Sequence, residues 1–274
     1  IILYFFLSTK KLQAFGGLWM MSYPSYSILK WLYGYWGFTT IFLLRATRNI
    51  SKVKINVLMI LSTALLILGF TGLFWSVDKQ SITGVYVGFT SVLLIWFWLE
   101  STFLVGWVTG IRKVACPKDV TEFKRAWLAF LTINHHEYLL LATLFCVWFV
   151  TINGENFIGL YAFLTLWCMR VSSKLNVFLG VRNLYEEFLP TPIRHLSTYF
   201  RKKNCNPIFP ITFLGAFLIN LLFWDNAFQS EIDHMVVHFG LLATLLSLGI
   251  FEHVVMVLPF QLNKLWSLGL NPQK

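Results

Sequence analysis

The chain has 274 residues, of which 57% are hydrophobic, 18% aromatic and only 12% charged. Soluble globular proteins carry about 25% charged residues, and half that fraction leaves too little polar surface to cover a water-soluble domain of this length. Together with a mean hydropathy of +0.66, this excludes soluble folds and points to an integral membrane protein. The formal net charge of +10 does not indicate nucleic acid: the cations fall between apolar segments, where they set membrane orientation.

Residues 1–20 (IILYFFLSTKKLQAFGGLWM) hold a short apolar run followed by Lys10 and Lys11. A secretory signal has the opposite charge order, so this stretch is expected to be a non-native or loosely ordered extension, with Met21 as the natural start. Residues 21–274 read as one transmembrane domain. A crossing helix needs about 20 apolar residues, and seven such stretches occur, at 26–44, 55–75, 83–107, 126–150, 157–180, 209–224 and 235–258. The connections 45–54, 111–125 and 182–203 and the tail after Pro259 carry sixteen Lys or Arg. The alternate loops 76–82, 151–156 and 225–234 carry one, Lys79, beside Asp78, Glu155, Asp225, Glu231 and Asp233. This positive-inside asymmetry predicts an all-α bundle of about seven transmembrane helices, with a periplasmic N-terminus and a cytoplasmic C-terminus.

The longest connection, 182–208, is predicted to be cytoplasmic. Ile193, Leu196, Tyr199 and Phe200 recur at helical spacing among Arg194, His195, Arg201, Lys202 and Lys203, with Pro190, Pro192, Pro207 and Pro210 as breakers. Two readings stand: an amphipathic helix on the lipid headgroups, or a docking loop for a partner protein built from Glu186, Glu187, Arg194, Tyr199, Arg201, Lys202 and Lys203.

Ionisable residues inside spans are costly and mark function. Glu100 lies in the third stretch, His135, His136 and Glu137 in the fourth, Arg170 and Lys174 in the fifth, and Glu252 and His253 in the seventh. Counted from the nearest cytoplasmic cation, Glu100, His135, His136, Glu137, Arg170 and Glu252 stand roughly 15–18 Å up their helices at about 1.5 Å per residue, shallower in the hydrocarbon where that cation lies outside it, and they form one layer in the cytoplasmic half. Buried ion pairing is one reading of that layer. A mixed oxygen and nitrogen metal site is a second, although adjacent residues point around a helix rather than along one face and no metal is assigned. A tetrapyrrole pocket is the third, with a neutral His as axial ligand and Trp96, Trp98, Trp127, Trp148 and Trp167 as flat surfaces. Cys116, Cys146, Cys168 and Cys205 form no CxxC pair and read as small buried residues. His234 and His238 read as a solvated interfacial pair. The motifs of soluble enzymes are absent.

Residues 169–212 read MRVSSKLNVFLGVRNLYEEFLPTPIRHLSTYFRKKNCNPIFPIT. Arg170, Lys174, Leu175, Asn176, the run 178–181, Asn183, Leu184, the run 186–190 and the run 197–200 together resemble the signature of the PuhE family, photosynthetic complex assembly proteins of anoxygenic phototrophic bacteria. The segments LLIWFWLESTFLVGWVTG (93–110), INHHEYLL (133–140) and FEHVVMVLP (251–259) extend the resemblance over roughly 21–270. The resemblance implies a multi-pass protein of the bacterial inner membrane, cytoplasmic or intracytoplasmic, that serves the reaction centre or light-harvesting complex. Its implied partners are membrane lipid, subunits of those complexes and bacteriochlorophyll; bacteriochlorophyll or another tetrapyrrole is the candidate cofactor. Two functions remain open. One is an assembly factor that binds a partner subunit or bacteriochlorophyll through the polar layer, Asn176 included. The other is a metal-dependent membrane enzyme linked to bacteriochlorophyll metabolism.

Overall fold

Apolar sequence in an apolar medium leaves the backbone no water to bond, so each long stretch satisfies its N–H and C=O groups within a helix. The computed structural model describes residues 52–184, 186 and 189–259. In chain order these form α1 (Lys52–Ser76), α2 (Ile82–Leu104), α3 (Glu122–Leu131), α4 (Asn134–Thr151) and α5 (Ile158–Leu179). A 3-10 segment (Thr191–Tyr199), α6 (Phe209–Gln229) and α7 (Asp233–Val257) follow. The described residues contain no strand, and one isolated bridge joins Val181 to Lys202. Helices α1, α2, α6 and α7 are long and apolar enough to cross a membrane, and α3 with α4 makes a fifth candidate span bent by 61°. The predicted first span, 26–44, and the extension 1–20 lie outside the described residues.

Helix α2 is the centre of the bundle and packs against α1, α4, α5 and α7. Its Phe89, Val92, Ile95 and Leu99 are fully enclosed. Small residues bring α1 close to it: a Cβ at Gly69 would lie 2.8 Å from the Ser91 carbonyl oxygen, backbone that cannot move aside. Such small-residue contacts let helices approach where burial from water supplies no drive. Helix α6 packs mainly on α7 and turns Ile211, Leu214, Leu218 and Leu222 outward. Apolar surface of this extent is lipid-facing in a multi-pass protein.

Four expectations change. The single helix predicted over 126–150 breaks at Thr132 and Ile133, because residues 109–112 take up the backbone groups that the break releases. Arg112 N–H donates to the Leu131 carbonyl at 3.0 Å and His136 N–H to the Thr109 carbonyl at 2.9 Å. The Asn134 side-chain carbonyl accepts from Ile111 N–H at 3.2 Å. A Cβ at Gly110 would lie 2.3 Å from the Leu131 oxygen, so only glycine admits this crossing.

The segment around 193–200 is not an α-helix laid on headgroups. Ile193 and Leu196 turn inward onto Phe103, with Ile133 and Phe200 beside them, because protein surface at the bundle end offers their apolar face a drier site than the interface does. Tyr199, also buried, donates its hydroxyl to the Val114 carbonyl at 3.0 Å and accepts from Arg112 Nε at 2.7 Å. Thr198 Oγ1 accepts from Cys116 N–H at 2.9 Å. Loop 105–121, α3 and the 3-10 segment thus form one cap over the ends of α2 and α5.

The cysteines and the outer histidine pair also differ from expectation. Cys146, Cys168 and Cys205 are exposed and Cys116 is half-buried, all as free thiols. Cys146 on α4 and Cys168 on α5 take outward positions, which accept a small apolar side chain without enclosing it, and Cys116 and Cys205 lie in loops. His238 is buried against Tyr161 and Phe239 rather than solvated.

Burial within the cap pushes the His195 imidazole below its ordinary pKa. The opened cap therefore binds more protons than the closed one, and its closure weakens as pH falls through about 6.5, the unperturbed histidine value. The hydrogen-exchange protection factors of the 191–199 amides, taken against the intrinsic rate at each pH, should fall on acidification from pH 7.5 to 5.5, and His195→Gln should flatten that response.

Candidate functional site: an ion-paired layer around Phe103

Arg170 and Lys174 are spaced i, i+4 on α5 and so share one face. Opposite them, Glu100 stands four residues before the end of α2 and Glu137 is the fourth residue of α4. Arg170 Nη2 meets Glu100 Oε2 at 2.8 Å, and Lys174 Nζ pairs with Glu137 Oε1. Two acids on two helices are thereby matched by two bases on a third.

Phe103 sits among these groups. The Arg170 guanidinium lies 5.8 Å and the Lys174 ammonium 5.6 Å from its ring centroid, within cation–π range. The His136 ring packs on Phe103 with centroids 4.6 Å apart. His136 is wholly buried, and neither ring nitrogen has a hydrogen-bond partner. Glu100 Oε1, Arg170 Nε and Thr109 Oγ1 are likewise buried without partners. The two acids of the layer stand near the ends of their helices. The break before α4 puts Glu137 roughly 5 Å from its helix start, and Glu100 is about 6 Å from the end of α2 at 1.5 Å per residue.

Asn176 and His253 belong to a second network that ties α5 to α6 and α7. His253 Nδ1 faces the Gly249 carbonyl at 2.9 Å, which can only accept, so Nε2 accepts from the Ser172 hydroxyl at 2.8 Å. The Asn176 amide donates to the Ser172 carbonyl at 2.9 Å and to Thr212 Oγ1 at 3.1 Å. Asn206, which the sequence reading missed, donates to Asn176 Oδ1 at 3.0 Å, while its own Oδ1 accepts from Ile208 and Phe209 N–H at the start of α6. Asn183 donates to the Val255 and Leu258 carbonyls at 2.8 and 2.7 Å and closes the end of α7. The sequence signal for both was an asparagine beside a predicted helix end.

His135 and Glu252 are exposed on their helices and do not join the ion pairs around Phe103. Adjacent helical residues point in different directions, so their neighbours His136 and His253 turn inward while they turn out. Among the described residues, no three His, Cys, Asp or Glu side chains gather as metal ligands. No tryptophan ring among the described residues packs on His136, whose ring neighbour is Phe103. Trp96 packs edge-on against Phe163 at 5.4 Å, Trp98 donates to Thr63 at 3.1 Å, and Trp127 and Trp148 are exposed.

Of the predicted docking loop, Arg194, Lys202 and Lys203 are exposed, whereas Tyr199 is interior. Lys202 pairs with Glu186, and Arg201 with Glu122 of α3. Glu187 lies outside the described residues.

Apolar crossing helices joined by a layer of paired charges define a multi-pass helical membrane protein. Residues 21–274 match the family described as Protein of unknown function (DUF3623), and the chain belongs to that family. It is 36% identical over 203 residues to the "Uncharacterized 30.4 kDa protein in puhA 5'region" of Rhodobacter capsulatus, a match covering 74% of each chain. No solved structure matches.

Removing one member of a buried ion pair strands the other. Because Arg170 keeps partial exposure, Glu100→Gln should cost about 2–3 kcal/mol, less than for a fully enclosed pair. Glu100→Gln combined with Arg170→Gln should recover part of that loss. A double-mutant cycle of denaturant unfolding in detergent measures both.

Proposed function

We propose that this protein is an assembly factor for a photosynthetic reaction centre or light-harvesting complex, of the PuhE type, and that it holds a partner subunit at the Phe103 layer. The resemblance over 169–212 supports this reading, as does a relative whose printed name refers to a puhA 5' region. The observation that carries the site is the incomplete cover of the two cations: Arg170 and Lys174 keep 30% and 21% of their side-chain surface exposed. Charge that reaches the lipid side of a bundle is costly, and a polar group on a partner helix laid along α5 would cover both residues at once.

Bacteriochlorophyll is the second occupant considered. His136 offers the unpartnered ring nitrogen that an axial ligand requires. Its ring is fully enclosed against Phe103, so this packing offers no face for a macrocycle, and a partner subunit fits the geometry better. The enzyme reading has less support, since Glu100 and Glu137 are held by cations and His253 by Ser172 and Gly249.

The proposal includes seven spans, with 26–44 and α5 among them, a periplasmic N-terminus, a cytoplasmic C-terminus and an inner or intracytoplasmic membrane. The charge asymmetry of the loops supports that orientation.

Two measurements test this reading. Affinity purification from a phototrophic host should recover reaction-centre or light-harvesting subunits with the parent chain and with Lys174→Arg, and much less with Arg170→Gln/Lys174→Gln. Stoichiometric iron with neither subunit nor pigment would instead favour the enzyme. A fluorescent reporter that matures only in the cytoplasm should glow when fused after Pro259 and stay dark when inserted at 151–156; the reverse pattern would overturn the orientation.

A further inference from the structure

Helix α3 turns 61° from α4, so a membrane-crossing α4 tips α3 toward the membrane plane. Its inward side is anchored. Arg125 is buried, stacks over Phe178 at 4.1 Å and donates to the Tyr199 carbonyl. Its outward side is aromatic: Phe123 and Trp127, one turn apart, are 86% and 56% exposed. The aromatic run continues around the bend. Trp127 meets Phe130 at 5.9 Å, and Phe130 meets Tyr138 at 6.3 Å, with Tyr138 itself exposed. Trp and Tyr gather at the level of lipid headgroups, where one side of the ring is apolar and the other wet.

The charge beside this stripe is mainly positive, with Asp119 the exposed acid next to Lys118. Lys124 is exposed next to Phe123, and Lys118 is exposed just before the Thr121 cap of α3. The acid on this helix, Glu122, is taken by Arg125 and Arg201. Exposed Lys203 follows Arg201 closely, whereas Lys202 is paired with Glu186.

We propose that α3 is an interfacial helix that binds anionic phospholipid, with Phe123 and Trp127 among the acyl chains and Lys118 and Lys124 at the phosphates. This surface is separate from the Phe103 layer, and it needs no partner subunit. It also replaces 193–200 as the headgroup-facing element, since the 3-10 segment spends its apolar face on Phe103.

Native mass spectrometry of the full chain tests the proposal, using protein released from nanodiscs of phosphatidylcholine mixed equally with phosphatidylglycerol. The parent should retain phosphatidylglycerol in preference. Each lysine near an anionic surface contributes about a five-fold gain, so Lys118→Gln/Lys124→Gln should lower that preference by roughly thirty-fold at most. Phe123→Ser/Trp127→Ser should lower retention of both lipids while keeping the preference. Circular dichroism confirms that each variant is helical. Equal retention of the two lipids by the parent, or an unchanged preference in the lysine variant, would overturn the proposal. Lysine-dependent retention of a protein instead of lipid would overturn it too, and would assign the face to an acidic partner.

Discussion

A protein interior solvates charge far less well than water, and this constraint organises the interior of the bundle. Arg170 and Lys174 on α5 are tolerable because Glu100 on α2 and Glu137 on α4 meet them. Those pairs make α5 the element around which the other two are positioned. Phe103 then fills the space between the pairs, so the charged layer and the aromatic contact with His136 are one packed unit.

The cap follows from the same layer. A straight fourth helix would carry Glu137 far up the bundle; the break at Thr132 and Ile133 instead starts α4 beside the end of α2. That break exposes backbone groups, and residues 109–112 satisfy them by passing close enough that Gly110 is required. Tyr199 and Arg112 fasten the passing loop to the 3-10 segment, and Ile193 and Leu196 seal the underside of Phe103. Polar layer, bend and seal therefore meet at Phe103 and the enclosed His136.

Hydropathy and loop charge outlined α1, α2, α6 and α7 to within a few residues, since twenty consecutive apolar residues leave the backbone few options. The ionisable residues were legible for a related reason, as charge is scarce in such sequence. What was not legible was direction. His135 and His136 are equivalent in the sequence, yet one is exposed and the other fully buried. Glu252 and His253 divide in the same way. The amphipathic pattern at 193–200 identified an apolar face correctly but not the surface that receives it, because lipid and protein present the same apolarity to a side chain.

Composition and charge spacing alone determined that this is a helical multi-pass membrane protein with a charged layer near one end, because the free energy of apolar burial is read locally, residue by residue. Only the tertiary structure decided which acid meets which base, where the apolar stretch over 126–150 bends, and that the loop after α5 folds back as a cap. Those outcomes depend on contacts between residues as far apart as Glu100 and Arg170, or Arg112 and Tyr199. No local pattern encodes the distance between them.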